Sequence, residues 1–301
     1  MKAQQTQRLQ DRRSARRIPG RRSLVLLFLA AGAAAAQAPQ PDALEIIRRS
    51  VEQDRANFER ARDYTFIERA ETRELDSKGK AKKVGSETFD VLILGGRPYK
   101  KLIAKDDQPL SAKEAAKAEA DFEKELKKRQ GENEKERRRL AEQEERRRRQ
   151  SRAFLKEIPQ AFDFRLVGED QVDGQTVWVI SAEPRPDFRP KAKRADLLAK
   201  FRGRIWIDQK ELQWVRVEAE TVDTVSFGLF LARLGKGAKL TFEQRRVNGE
   251  VWLPSRASTK LDARLALVRK LNVEMDVAWR DYRKFRTDSR MVDASGFTDE
   301  P

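Results

Sequence analysis

The chain has 301 residues with 65 Lys and Arg against 49 Asp and Glu, a net charge of +16, and neither cysteine nor histidine. Without those two residue types there is no disulfide, no Ser-His-Asp or Cys-His catalytic set, and no ordinary zinc, copper or haem site. No cofactor and no metal are expected, no catalytic residue stands out, and the chain is read as a non-enzyme.

The start of the chain reads as a cleavable export signal over residues 1–38. Eight basic residues, from Lys2 to Arg22, face one acid, Asp11, so this segment carries +7 of the charge and about +9 remains for the rest. The apolar run Ser23 to Leu29, continued by Ala30 to Ala36, is only about a dozen residues, short for a membrane-spanning helix. Ala34 and Ala36 offer a small-residue cleavage site, as do Ala36 and Ala38. An uncleaved N-terminal anchor is the alternative. Export places the protein in the periplasm and removes nucleic acid as the partner that would explain the basic charge.

Residues 39–301 are read as one domain. A Gln- and Pro-containing linker leads to Asp42, a helix N-cap residue. Leu44, Ile47, Val51 and Phe58 then recur at helical spacing, which predicts an amphipathic helix to about Arg62. Tyr64 to Leu75, Thr88 to Leu94 and Tyr99 to Ala104 read as strands of a meander, with turns at Asp76 to Gly79 and at Gly95-Gly96.

From about 111 to 156 the chain is dense in Glu, Lys and Arg, with pairs such as Glu123 with Lys127 and Glu134 with Arg138 at helical i,i+4 spacing. A charged helical insertion is predicted, broken near Gly131. It is either a solvated decoration or a basic arm for headgroups or a protein partner.

Strands resume at Phe162 to Val167 and continue through the Asp173-Gly174 hairpin into Gln175 to Ser181. A short helix is predicted over Lys193 to Phe201. Gly203 to Asp208 and Leu212 to Glu218 form one hairpin, and Lys239 to Glu243 and Glu250 to Pro254 another, across Asn248-Gly249. Ala263 to Val268 and Val273 to Val277 close the series. The fold class predicted is α+β: a large, curved antiparallel sheet of about ten or eleven strands, a half-barrel whose concave face is covered by helices.

Val177 to Pro184, Gly203-Arg-Ile-Trp-Ile-Asp208, Leu212 to Val217 and Val247-Asn-Gly-Glu-Val-Trp-Leu-Pro254 together resemble the outer-membrane lipoprotein-sorting (LolA-like) family. The resemblance implies a half-barrel whose cavity holds lipid or lipoprotein acyl chains. The charged insertion departs from that family's pattern.

An apolar cavity would be lined by the inward strand positions Ile205, Ile207, Val215, Val217, Phe242, Leu265, Leu267, Val273, Met275 and Val277. A lip over its mouth would come from Val225 to Leu231, with Phe227, Leu229 and Phe230 as its apolar contacts. Ordinary core packing is the competing reading of every one of these residues. The expected function is a monomeric periplasmic carrier of lipid or lipoprotein acyl chains. The second reading is an envelope module that binds a membrane or envelope protein partner through the half-barrel and the insertion.

Overall fold

The computed structural model describes residues 41–227, 232–265 and 269–284, of which 226, 227, 232, 233, 261–265 and 269–271 are described as backbone alone. The export signal, Leu229, Phe230 and Leu267 lie outside the described residues.

The chain opens with helix α1, Ala43–Ala61. Asp42 caps it as its sequence suggests, its side chain accepting from the Leu44 amide at 3.0 Å. A meander follows: β1 Tyr64–Leu75, β2 Ala81–Leu94, β3 Arg97–Lys105 and the short β4 Gln108–Pro109. Two helices come next, α2 Ala112–Gln130 and α3 Glu134–Ala161. The second meander is β5 Phe162–Val172, β6 Gln175–Pro184, β7 Phe201–Asp208 and β8 Trp214–Thr221, with a 3-10 helix at Ala195–Lys200 where the sequence suggests a short helix. The rest is β9 Val225–Phe227, β10 Ala232–Leu234, β11 Lys239–Val247, β12 Val251–Leu265 and β13 Arg269–Lys284.

Among the described residues all the strand pairings are antiparallel. Eleven strands run in the order β4-β3-β2-β1-β13-β12-β11-β8-β7-β6-β5, and β9 and β10 attach beside β12. The path does not close, so the fold is an open half-barrel. The first and last strands among the described residues, β1 and β13, pair in the interior of this path, which leaves β4 and β5 as its two edges.

The tight hairpins form where turn chemistry calls for them. Asp173-Gly174 and Asn248-Gly249 both hold positive φ at their two central positions, the geometry that a two-residue hairpin needs. Asp106-Asp107 does the same between β3 and β4 without glycine. Aspartate tolerates the left-handed region better than most side chains.

The inner face is the one on which α1 lies. Its core joins Ala43, Ile46 and Ile47 of α1, Ile158 and Ala161 of α3, Ala195 and Leu198 of the 3-10 helix, and Ile180, Ile205 and Ile207 of the sheet. At ~25 cal/mol per Å² of apolar surface, each buried Ile or Leu of this core contributes roughly 1.5–3 kcal/mol. The core face of α1 is therefore rotated from the predicted stripe. Ser50 and Asn57 are buried, while Phe58 remains 41% exposed.

The insertion differs from expectation in two ways. Its second helix does not stop near 156: Phe154, Leu155, Ile158 and Ala161 carry it into the core, and the buried Glu157 accepts from the Lys191 and Ala192 amides at 3.2 and 2.9 Å. Its first helix does not cover the inner face. By strand alternation Tyr99 and Lys101 project opposite to Lys100, and α2 packs on their side through Phe122 and Glu119. Arg129 reaches back and donates hydrogen bonds to the carbonyls of Leu94, Arg97 and Pro98, so part of this charge holds the β2–β3 turn.

Candidate functional site

Strand register divides the inner face into rungs, because directly opposed residues of an antiparallel pair share a face. One rung runs Ala70, Val277, Ala257, Phe242, Val217, Ile205, Ile180. The next runs Thr72, Met275, Thr259, Leu240, Ala219, Gly203, Ala182.

At the β5–β8 end the face is filled. Ile207 and Ile180 are fully buried under α1, α3 and the 3-10 helix, and Ile205 nearly so. Trp214 donates to Ser50 Oγ at 2.8 Å and Ser50 to the Ile47 carbonyl, which fixes α1 over this half.

Across β11, β12, β13 and β1 the same rungs open. Val217, Phe242, Ala257, Val273, Val277 and Ala70 are half-buried, and Leu240 and Met275 are 43% and 40% exposed. This open half is an apolar trough. At the β1–β3 side it meets one polar anchor: the buried Glu68 accepts from Lys100 Nζ at 2.5 Å and from Trp279 Nε1 at 3.1 Å.

Gly203 narrows the sheet beside the trough. A Cβ there would lie 2.1 Å from the Glu218 carbonyl oxygen, so β7 and β8 approach closely only with glycine at this rung.

The thirteen candidates thus separate. Val217, Phe242, Val273, Met275 and Val277 share the open half, whereas Ile205 and Ile207 belong to its filled end. Val215 lies on the other face. A bulge skips it between the pairs Trp206–Arg216 and Ile207–Trp214, so the strict period of two that grouped it with Val217 fails there. It packs instead with Val177, Val179, Trp206 and Trp252. Phe227 lies in β9 and Leu265 in β12, both described as backbone only.

Outside these rungs, sequence reasoning missed a groove of about 1080 Å³ where α1 and α3 diverge. Its signal in the sequence is Val51 and Phe58, two residues of the apolar stripe predicted for α1.

Beside this Val215 cluster, the opposite face carries cross-strand ion pairs over β8, β11, β12 and β13, such as Arg216–Glu243 at 2.9 Å, Arg256–Asp276 at 2.6 Å and Lys260–Glu274 at 2.8 Å. Among the described residues no cluster of Asp or Glu is arranged to hold a metal. No helix among them is long and apolar enough to cross a membrane.

Fold and site together define an open, helix-plugged half-barrel whose inner face is partly exposed and apolar. No protein-family profile matches the chain, and no curated protein matches it. Solved structures similar to it include a DUF1329 family protein from Desulfovibrio piger, 12% identical over 81% of this chain and 94% of that one, with a TM-score of 0.32. A putative outer membrane lipoprotein-sorting protein domain from Vibrio parahaemolyticus is 11% identical over 81% and 95%, with a TM-score of 0.28. A chain of the Pseudomonas aeruginosa MucA/MucB complex is 10% identical over 79% and 99%, with a TM-score of 0.24.

Proposed function

We propose that the protein is a non-catalytic periplasmic carrier that binds lipid or lipoprotein acyl chains along the open half of its inner face. The observation that carries this reading is the trough itself. Phe242, Leu240, Met275 and Val277 stand together on one sheet face, partly exposed, beside a core that already satisfies the rest of that face. Contiguous exposed apolar surface of this kind serves a ligand or a partner more readily than it serves stability. The export signal read over residues 1–38 supplies the compartment.

The trough suits a chain-like apolar ligand. It runs across strands that lie about 4.8 Å apart, so four strands offer roughly 15–20 Å of apolar floor, the length of a long acyl chain. Lys100 and Glu68 stand at one end as the polar groups nearest a headgroup.

The test is uptake of a fluorescent fatty acid by the purified full chain. Saturable binding is expected, with Phe242→Asp weakening it at least about tenfold at an unchanged circular-dichroism spectrum. Uptake equal in the wild type and Phe242→Asp would move the ligand elsewhere, and no uptake by either would end the carrier reading.

A further inference from the structure

We infer that the groove between α1 and α3 is a docking site for an acidic amphipathic helix of a protein partner. This inference goes beyond the carrier reading and does not rest on it.

The groove has the size of a specific site, about 1080 Å³. Its apolar floor comes from Val51 and Phe58 of α1 and from Leu155 and Pro159 of α3. The paired spacings, seven residues on one wall and four on the other, are those by which helices receive the i, i+3/i+4, i+7 anchors of a third helix. The α1 wall from Arg48 to Glu59 is about 16 Å long at 1.5 Å per residue, the length of some three turns of a ligand helix.

The rims decide between a helix and a lipid. Arg48 and Arg55 stand on the α1 rim, and Arg148, Arg149, Arg152 and Lys156 on the α3 rim. Arg152 and Arg148 have carboxylate neighbours in Glu145 and Glu144, whereas Arg48, Arg55, Arg149 and Lys156 form no ion pair among the described residues. An acyl chain presents one charged end and asks for an enclosed sleeve. Here the cations are spread along both walls for two turns, and the floor is open enough to leave Phe58 41% exposed. Charge distributed lengthwise over an apolar stripe matches a helix with carboxylates flanking its apolar face.

Four acids also border the groove: Glu52, Asp54, Glu59 and Glu145. Cations outnumber them, and burial holds the Asp54 carboxyl above the ordinary aspartate range. The partner residue opposite Asp54 is therefore uncharged or basic, while those facing Arg48, Arg55 and the α3 rim are acidic.

The experiment is fluorescence anisotropy with the full chain and two labelled amphipathic helical peptides of about 18 residues, Leu/Glu and Leu/Lys, each long enough to hold a helix. The Leu/Glu peptide is expected to bind saturably and the Leu/Lys peptide not. The double variant Arg55→Glu with Arg152→Glu should weaken the acidic peptide at least about tenfold and gain the basic one. Phe58→Asp should weaken the acidic peptide while Phe242→Asp leaves its binding intact, which separates this site from the trough. Acidic-peptide binding that survives the double reversal, or is absent from the wild type, would overturn the inference. So would loss of fatty-acid uptake, rather than of peptide, in the double variant, because it would assign the groove to lipid.

Discussion

Asn57 holds the backbone of Trp252 at a point where the β12–β13 pairing, which begins at Arg256, has not yet started. Its side chain donates to the Trp252 carbonyl at 2.8 Å and accepts from the Trp252 amide at 2.7 Å, standing in for a missing strand. Two net hydrogen bonds, plus the cost of leaving buried backbone groups unpaired, amount to about 2–4 kcal/mol. Asn57→Ala is expected to lower the unfolding free energy from urea titration by that much without moving the fatty-acid affinity. Asp54 is the opposite case. Burial raises its carboxyl pKa in the folded state, so ionisation costs stability as pH rises through the free aspartate range. Asp54→Asn should therefore raise Tm by a few degrees at pH 7, and the gain should vanish near about pH 3, where both folded and unfolded chains carry the proton. Thermal melts across that range check the sign.

At the scale of elements, α2 is set by its first turn. Ser111 and Glu114 form a capping box, and Glu114 also accepts from Lys105 Nζ at 2.9 Å, which brings its carboxyl down to about 2. A lowered carboxyl contributes stability that is complete above the ordinary glutamate range and is lost as pH falls toward 2. Glu114→Gln should remove that acid dependence and loosen α2 at neutral pH, seen as faster amide exchange over Ala112–Gln130. Gly203→Ala tests the sheet in the same way. Its Cβ meets backbone rather than a movable side chain, so a loss of about 2–4 kcal/mol is expected.

These elements also show how much of the structure the residues announce. The hairpins at Asp173-Gly174 and Asn248-Gly249 and the cap at Asp42 depend on local chemistry, and local reading finds them. Alternation in Val273, Met275 and Val277 places them on one face correctly because no bulge interrupts their pairing with β12. Val215 defeats the same rule because a single extra residue inverts the strand, and no side chain in that stretch marks the insertion. The end of α3 was hidden for another reason. A run of arginines surrounds the few apolar residues that reach the core, and only tertiary packing tells Leu155 and Ile158 from a solvated face.

For the molecule as a whole, the half-barrel is divided by packing. One end of its inner face is closed by α1, α3 and the 3-10 helix, and the other is left as an apolar trough. The outer face carries a ladder of opposite charges across β8 and β11 to β13, beside the buried apolar cluster of Val177, Val179, Trp206, Val215 and Trp252. Helix α3 belongs to both the core and the cationic groove, so the insertion is continuous with the fold. The most direct test of the carrier reading is native mass spectrometry of the full chain purified from the cell envelope without detergent. A protein carrying acyl-chain adducts in the wild type, lost in Phe242→Asp and retained in Arg55→Glu, is the predicted result. Wild-type protein that emerges without adduct and takes up none when offered lipid would contradict the account.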